Sequence, residues 1–164
     1  MFDAFLKING IEGESQDDKH KNQIEILSFS WGANQTATGA ASSGGARSAE
    51  RVNLSDFSIV KSVDKASPKL FLHCCNGKHI PDVTLELCRA TGDKQPYLEY
   101  KMTDVMISSY RPGGASHGGE SLPMEEVSFN YAKIEFKYTA TDQKTGKSAG
   151  DVKANWDQVA NKGA

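Results

Sequence analysis

Apolar and polar residues alternate along most of this chain, and the alternation predicts strands. Phe2, Ala4, Leu6 and Ile8 alternate with Asp3, Phe5, Lys7 and Asn9, the period of a half-buried strand. Residues 24–31 carry the strongest strand pattern: Leu27, Phe29 and Trp31 share one parity and Ser28 and Ser30 the other, so the large side chains are expected inward and the serines outward. Further strands are predicted over 52–63, over 80–89 with Val83, Leu85 and Leu87 inward, and over 97–109. Over 124–139 the apolar parity changes, from Val127, Phe129 and Tyr131 to Ile134, Phe136 and Tyr138. Parity fixes the face, so this strand either carries a bulge near Ala132 or crosses from one sheet to another. A last short strand is predicted over 152–156, after a polar stretch at 142–150.

One segment has helical signals instead. Ser67 is placed to cap, Pro68 suits the first turn, and Asn76-Gly77 supplies a left-handed stop. Leu70, Phe71, Cys74 and Cys75 form one apolar stripe between them, expected to lie against the sheets. Residues 12–22 are highly polar and read as a solvated loop, and 111–119 as a Gly-rich one.

Residues 32–52 consist mainly of Gly, Ala, Ser and Thr, with Arg47, Glu50 and Arg51 near the end. A structureless loop of this length is uncommon in a compact domain and tends to be functional or disordered. Its glycines, among them Gly32, Gly39, Gly44 and Gly45, permit close backbone approach, so it can order along another subunit; the other reading is a surface loop.

At 164 residues the chain is expected to form a single domain over 1–164. Its net charge of −2, mixed in sign, gives no reason to expect nucleic acid or an anionic membrane as partner. No run of about 18 apolar residues exists for membrane insertion, and the N-terminus does not read as a signal peptide, so folding in the cytoplasm is expected. Three cysteines, two of them adjacent, make no disulfide framework; Cys74 and Cys75 read as buried thiols.

Candidate chemistry is sparse. His73, Cys74, Cys75 and Cys88 are the one metal-like group, but they lack C-x-x-C or H-x-x-x-H spacing, so no metal site and no cofactor are expected. The loop 113–119 lacks the Gly-Lys-Ser/Thr ending of a phosphate cradle and leads into a strand. Ser116 and Ser121 lie in no nucleophile-elbow sequence. Glu125 and Glu126 are strand neighbours facing opposite sides, and read as solvated edge charges. No catalytic set emerges, and the chain is not expected to be an enzyme.

Four motifs in order carry a family resemblance: Leu27-Ser28-Phe29-Ser30-Trp31-Gly32 before the Gly/Ala/Ser loop; Ser67-Pro68 running on to Cys75-Asn76-Gly77-Lys78-His79; the Gly-rich loop ending Gly118-Gly119-Glu120-Ser121; and Val127-Ser128-Phe129-Asn130-Tyr131-Ala132. Together they resemble the haemolysin-coregulated proteins (Hcp), inner-tube subunits of the type VI secretion system, across essentially the whole chain including Trp156.

The resemblance implies an all-β protein: a two-sheet antiparallel β-barrel with one flanking α-helix and a long extended loop. It implies a homohexameric ring, stacked into a tube within a contractile sheath, with sheath and tube-tip components and small effector proteins as partners. It also implies a protein that starts in the bacterial cytoplasm and leaves through the apparatus without a cleaved signal peptide, with no toxic domain after the tube domain. On this reading Ser28 and Ser30 line the lumen, and Gly32, Gly39, Gly44, Gly45, Arg47, Glu50 and Arg51 work between subunits or rings. The alternative for the serines is a contact with another subunit or with bulk water. The rival for the whole chain is a monomeric β-sandwich module binding a small ligand or glycan.

Overall fold

The computed structural model describes residues 1–38, 48–90, 94–119 and 122–164. Gly39, Gly44, Gly45, Arg47 and Ser121 lie outside the described residues.

The fold is all-β with one helix. Strands β1 (Phe2–Ile8), β2 (Ile24–Ile26) and β3 (Ser28–Ser30) lead into four two-residue strands, β4 (Ala33–Asn34), β5 (Ala37–Thr38), β6 (Ser48–Ala49) and β7 (Asn53–Leu54). Then come β8 (Phe57–Ser62), helix α1 (Ser67–Asn76), β9 (Ile80–Arg89), β10 (Pro96–Gly113), β11 (Met124–Thr141), β12 (Ser148–Asp157) and β13 (Lys162–Gly163). The main sheet runs β13-β12-β11-β10-β9-β1-β2, with β8 pairing both β11 and β3, all antiparallel. Its curl brings Leu6, Ile24, Phe57, Ile59, Val83, Leu85, Met102, Val127 and Phe129 into one core.

The hydrogen-bonded circuit stops short of a closed barrel at Leu27, where the ladder on β1 ends and that on β8 begins. Ile24 and Ile26 face the core, and so does half-buried Phe29, while Leu27 and Ser28 both stay outside. Two consecutive outward residues shift the phase by one, as a bulge does. This corrects the inward assignment of Leu27, which is 55% exposed; Phe29 and Trp31 do pack on the core.

The parity change in β11 has a related cause. Its first half pairs with β8 (Met124 to Phe129), its second with β12 (Lys133 to Thr141). The strand crosses between neighbours at residues 130–132. Its register with β10 holds there, and the backbone irregularity lies opposite, at Asp104 with φ +52°. Beyond the crossing, Phe136 and Tyr138 lie mostly outside the core. The last strand is longer than the pattern at 152–156 suggested: β12 spans Ser148–Asp157, and β13 pairs back onto it.

The helix begins and ends where expected but buries a different face. Gly77 takes the left-handed stop at φ +64°. Ser67 is not a cap: it is the first helical residue, and its hydroxyl donates to Glu125 Oε1 at 2.7 Å. The turn before it is held by Asp64, whose Oδ1 accepts the Ala66 N–H at 2.9 Å. Ala66, Ser67 and Leu70 are buried and Cys74 is partly so, whereas Phe71 and Leu72 are each 54% exposed and Cys75 is exposed. The stripe is rotated by about one residue from the expected one, because buried Ser67 fixes the helix phase. Phe71→Ala is therefore expected to cost under about 1 kcal/mol in urea unfolding, losing only an edge contact with the Tyr110 ring at 6.0 Å.

Residues 12–22, expected as a solvated loop, are mostly exposed but are pinned to the sheet at buried positions. Ile11, Ser15 and His20 are buried, and the segment is stitched by Gly13 N–H to the Asn22 carbonyl at 2.8 Å and Ser15 N–H to the Gln23 carbonyl at 3.0 Å. His20 stacks on Phe5 with ring centroids 4.2 Å apart and bonds Asp17 through Nδ1 at 2.8 Å. That hydrogen bond, helped by Lys94 and opposed by burial, lowers the Asp17 carboxyl to about 2.

A depressed carboxylate stabilises above its unfolded value near 3.8 and loses that stabilisation as pH falls through about 2. The destabilisation caused by Asp17→Asn is accordingly expected to be full at pH 7 and to fade between about pH 4 and pH 2. Paired thermal melts across that range check it; a pH-independent difference would contradict it.

Candidate functional site

The outward face expected for Ser28 and Ser30 is present. Both are exposed, while Phe29 between them turns to the core. Across β8 and β11 the same face continues in register: Ser30 opposite Ser58 opposite Ser128, and Ser28 opposite Val60 opposite Glu126. Ser58 and Ser128 share a 2.9 Å hydroxyl bond. β10 adds Ser109 beside Ser128 and Arg111 beside Glu126. The result is a wall of small hydroxyls with one paired-sign edge, which adds little bulk and little net charge to whatever lies in front of it.

β3 leads into the Gly/Ala/Ser segment, and the described residues on its two sides, 32–38 and 48–54, are paired with each other. β4 pairs with β7 and β5 with β6, so its two sides run back along each other as a narrow hairpin arm. The base of the arm is fastened. Gly32 N–H donates to Ser55 Oγ at 2.8 Å, and Ser55 N–H to the Gly32 carbonyl at 3.0 Å. Tyr131 donates its hydroxyl to the Ser55 carbonyl at 2.8 Å and accepts the Trp31 indole N–H; burial pushes the pKa of its phenol up, holding it protonated as a donor. Glu50 N–H reaches the Thr36 carbonyl at 3.3 Å, and the Arg51 guanidinium reaches the Gln158 carbonyl. Of the arm residues singled out by sequence, Gly32, Glu50 and Arg51 thus cluster near its base.

Beneath the arm lies a cleft of about 400 Å³ lined by Trp31, Val52, Leu54, Ile134, Phe136 and Trp156 among others. Its lining has no carboxylate, imidazole or thiol, so it is shaped for packing and not for proton transfer. The Trp156 indole N–H beside it is buried and has no hydrogen-bond partner within the described residues. A buried donor left unpaired costs about 1–3 kcal/mol, so a shift of the cleft wall that opens this N–H to an occupant's carbonyl oxygen would be favoured. Tyr138 and Val152 stand opposite each other on β11 and β12, 43% and 73% exposed. They extend the apolar surface past the cleft.

Sequence reasoning missed two buried polar groups. Glu125 is not a solvated edge charge: it is 1% exposed, and Lys61, 0% exposed, gives its ammonium to Glu125 Oε1 at 2.5 Å and Asp64 Oδ1 at 2.9 Å. Tyr110 donates to Glu125 Oε2, and burial together with that carboxylate pushes its phenol up to about 12. The signal was available, since Lys61 shares its parity with Phe57 and Ile59, and Glu125 with Val127 and Phe129. The second group surrounds His20. Cys88, which the sequence offered only in a group with His73, Cys74 and Cys75 that lacked ligand spacing, sits beside His20, with Sγ 3.8 Å from Nε2.

This arrangement of sheet, helix and arm is shared with proteins of type VI secretion. A solved structure described as a type six secretion system protein matches over 100% of both chains, with TM-score 0.94 and 35% identity. Hcp1 from Salmonella typhimurium matches over 99% of each, with TM-score 0.81 and 37% identity. The family described as type VI secretion system effector, Hcp, matches residues 5–138. Protein hcp1 of Pseudomonas aeruginosa is 36% identical over 155 residues, 94% of this chain and 93% of that protein. The chain belongs to the Hcp family.

Proposed function

We propose that this chain is the repeating subunit of a type VI secretion inner tube, assembling head-to-tail into a ring of six that stacks through the hairpin arm. The observation that carries the reading is the apolar cleft under the arm with its unpaired Trp156 N–H. A second copy supplying apolar side chains and a backbone carbonyl would satisfy both needs, and a heterologous contact whose rotation closes makes a ring. The exposed Tyr138 and Val152 extend the surface available to that neighbour. Sheath and tube-tip components contact the outside of such a tube. Its bore is the hydroxyl wall around Ser28 and Ser30, wettable and weakly adhesive, through which small effectors travel out of the cytoplasm.

Light scattering after size exclusion, with negative-stain imaging, tests this. A mass of six chains and ring-shaped particles are expected; a monomer or a two-fold dimer at micromolar concentration overturns it. The monomer would favour the second reading, a ligand-binding module, for which the same aromatic-lined cleft is the pocket. Ser30→Gln separates bore from contact surface. On the bore it leaves the ring assembled and changes which effectors co-purify; in a packed contact the added bulk weakens the ring by about 1–3 kcal/mol.

A further inference from the structure

We propose that His20, Glu86 and Cys88 form a zinc-binding site on the outer face of β1 and β9, with a water in the fourth position. Glu86 and Cys88 are two apart on β9 and so project from the same face, away from the core residues Leu85 and Leu87. Residues 9–23 fold over that face and bring His20 down between them. The imidazole Nε2, a Glu86 carboxylate oxygen and Cys88 Sγ all lie within 4.8 Å of one another.

Two of the three separations come within an ångström of those around a tetrahedral ion, and the third, Glu86 to Cys88, lies within 4.8 Å. Zinc–ligand lengths near 2.0–2.3 Å place an imidazole nitrogen and a thiolate about 3.6 Å apart, and two N/O donors about 3.4 Å apart. Sγ to Nε2 is 3.8 Å. Nε2 to Glu86 Oε2 is 2.7 Å, so the carboxylate must withdraw by under an ångström; it is on the solvent side, with its side chain 28% exposed. That side is also the entry path.

The surroundings are those of a prepared ligand. Asp17 holds Nδ1 at 2.8 Å, so Nδ1 is already engaged and Nε2 is the nitrogen presented to the ion. Lys94 anchors Asp17 from behind at 3.2 Å, and the Phe5 ring fixes the imidazole plane at an interplanar angle of 5°. The donor set, one sulfur, one nitrogen and one carboxylate, is that of zinc and not of calcium or magnesium. A thiolate and a carboxylate balance the ion's two charges.

Binding releases two protons to solvent: the one shared between Nε2 and Glu86, and the Cys88 thiol proton. Affinity therefore rises with pH.

The test uses the full chain carrying Cys74→Ser and Cys75→Ser, which removes the helix thiols from competition. Cobalt(II) and zinc(II) are titrated separately into the metal-free protein. One ion per chain is expected, with a sulfur-to-cobalt charge-transfer absorption that zinc displaces. Cys88→Ser is expected to abolish that absorption, and Asp17→Asn to weaken zinc binding about 10–100-fold while leaving Cys88 in place. Circular dichroism of each metal-free variant confirms folding, and Glu86→Gln replaces any variant that fails it. Absence of the thiolate absorption, or its survival in Cys88→Ser, overturns the site, as does zinc affinity unmoved by both Asp17→Asn and Glu86→Gln.

Discussion

Replacing Lys61 with alanine is expected to remove about 3–5 kcal/mol of stability, because it strands a buried carboxylate. Lys61 and Glu125 have no meaningful exposure, and the ammonium satisfies the Ser62 carbonyl at 3.0 Å as well as Glu125 and Asp64. Without it, Glu125 retains only the hydroxyls of Ser67 and Tyr110. Neither hydroxyl carries charge, so the carboxylate must either take up a proton or draw water into the core. The loss is a large share of the stability of a domain this size.

The double substitution Lys61→Met with Glu125→Leu removes both charges and is expected to be far milder, since two well-packed apolar side chains avoid the desolvation cost altogether. Urea unfolding of the three proteins separates the cases. A single variant costing under about 1 kcal/mol would show that the pair is hydrated. The pair joins β8 to β11 and, through Asp64 and Ser67, sets the phase of α1 against β10. That is why the helix buries Leu70 and leaves Phe71 outside.

The same pair shows what sequence pattern delivers and where it stops. Alternation placed the long strands because each has a core side and a solvent side, and a half-buried strand writes that difference into every second residue. It failed where the backbone slips by one residue. Leu27 is large and of the right parity, yet two outward positions in succession put it outside. It also failed where charge is buried, since a lysine or glutamate on a strand reads as surface unless both partners are considered together.

The site was legible in part for the same reasons. Ser28 and Ser30 could be placed outward from Phe29 and Trp31 alone. The arm could not be foreseen, because its composition of Gly, Ala, Ser and Thr has no apolar period; its pairing rests on Trp31, Tyr131 and Ser55 at the base, which are distant in sequence. The pinning of residues 12–22 was not foreseen, because a segment held by backbone hydrogen bonds and one stacked histidine leaves no hydrophobic signature.

Phe57→Ala is expected to cost about 3–5 kcal/mol and to disturb the cleft as well as the core. Phe57 is fully buried at the start of β8, opposite Phe129. Its ring meets Phe29 at 5.9 Å, Tyr100 at 5.3 Å and Trp31 at 6.4 Å, and Tyr100 stacks on Phe136 at 4.9 Å. The chain of rings therefore runs from the centre of the core to two walls of the cleft, Trp31 and Phe136. Truncation leaves a cavity about the size of a phenyl ring, and the neighbouring aromatics have few rotamers with which to fill it. Trp31 would tilt inward and loosen its bond to Tyr131, which holds the base of the arm. Phe57→Leu keeps much of the volume and is expected to lose roughly a third to a half as much. If the aromatic rings are coupled as packed, Phe57→Ala weakens the proposed self-association more than Phe57→Leu does at temperatures where both remain folded. Urea unfolding measures the first effect, and light scattering across a dilution series the second. Equal association in the two variants would confine Phe57 to the core and detach it from the cleft.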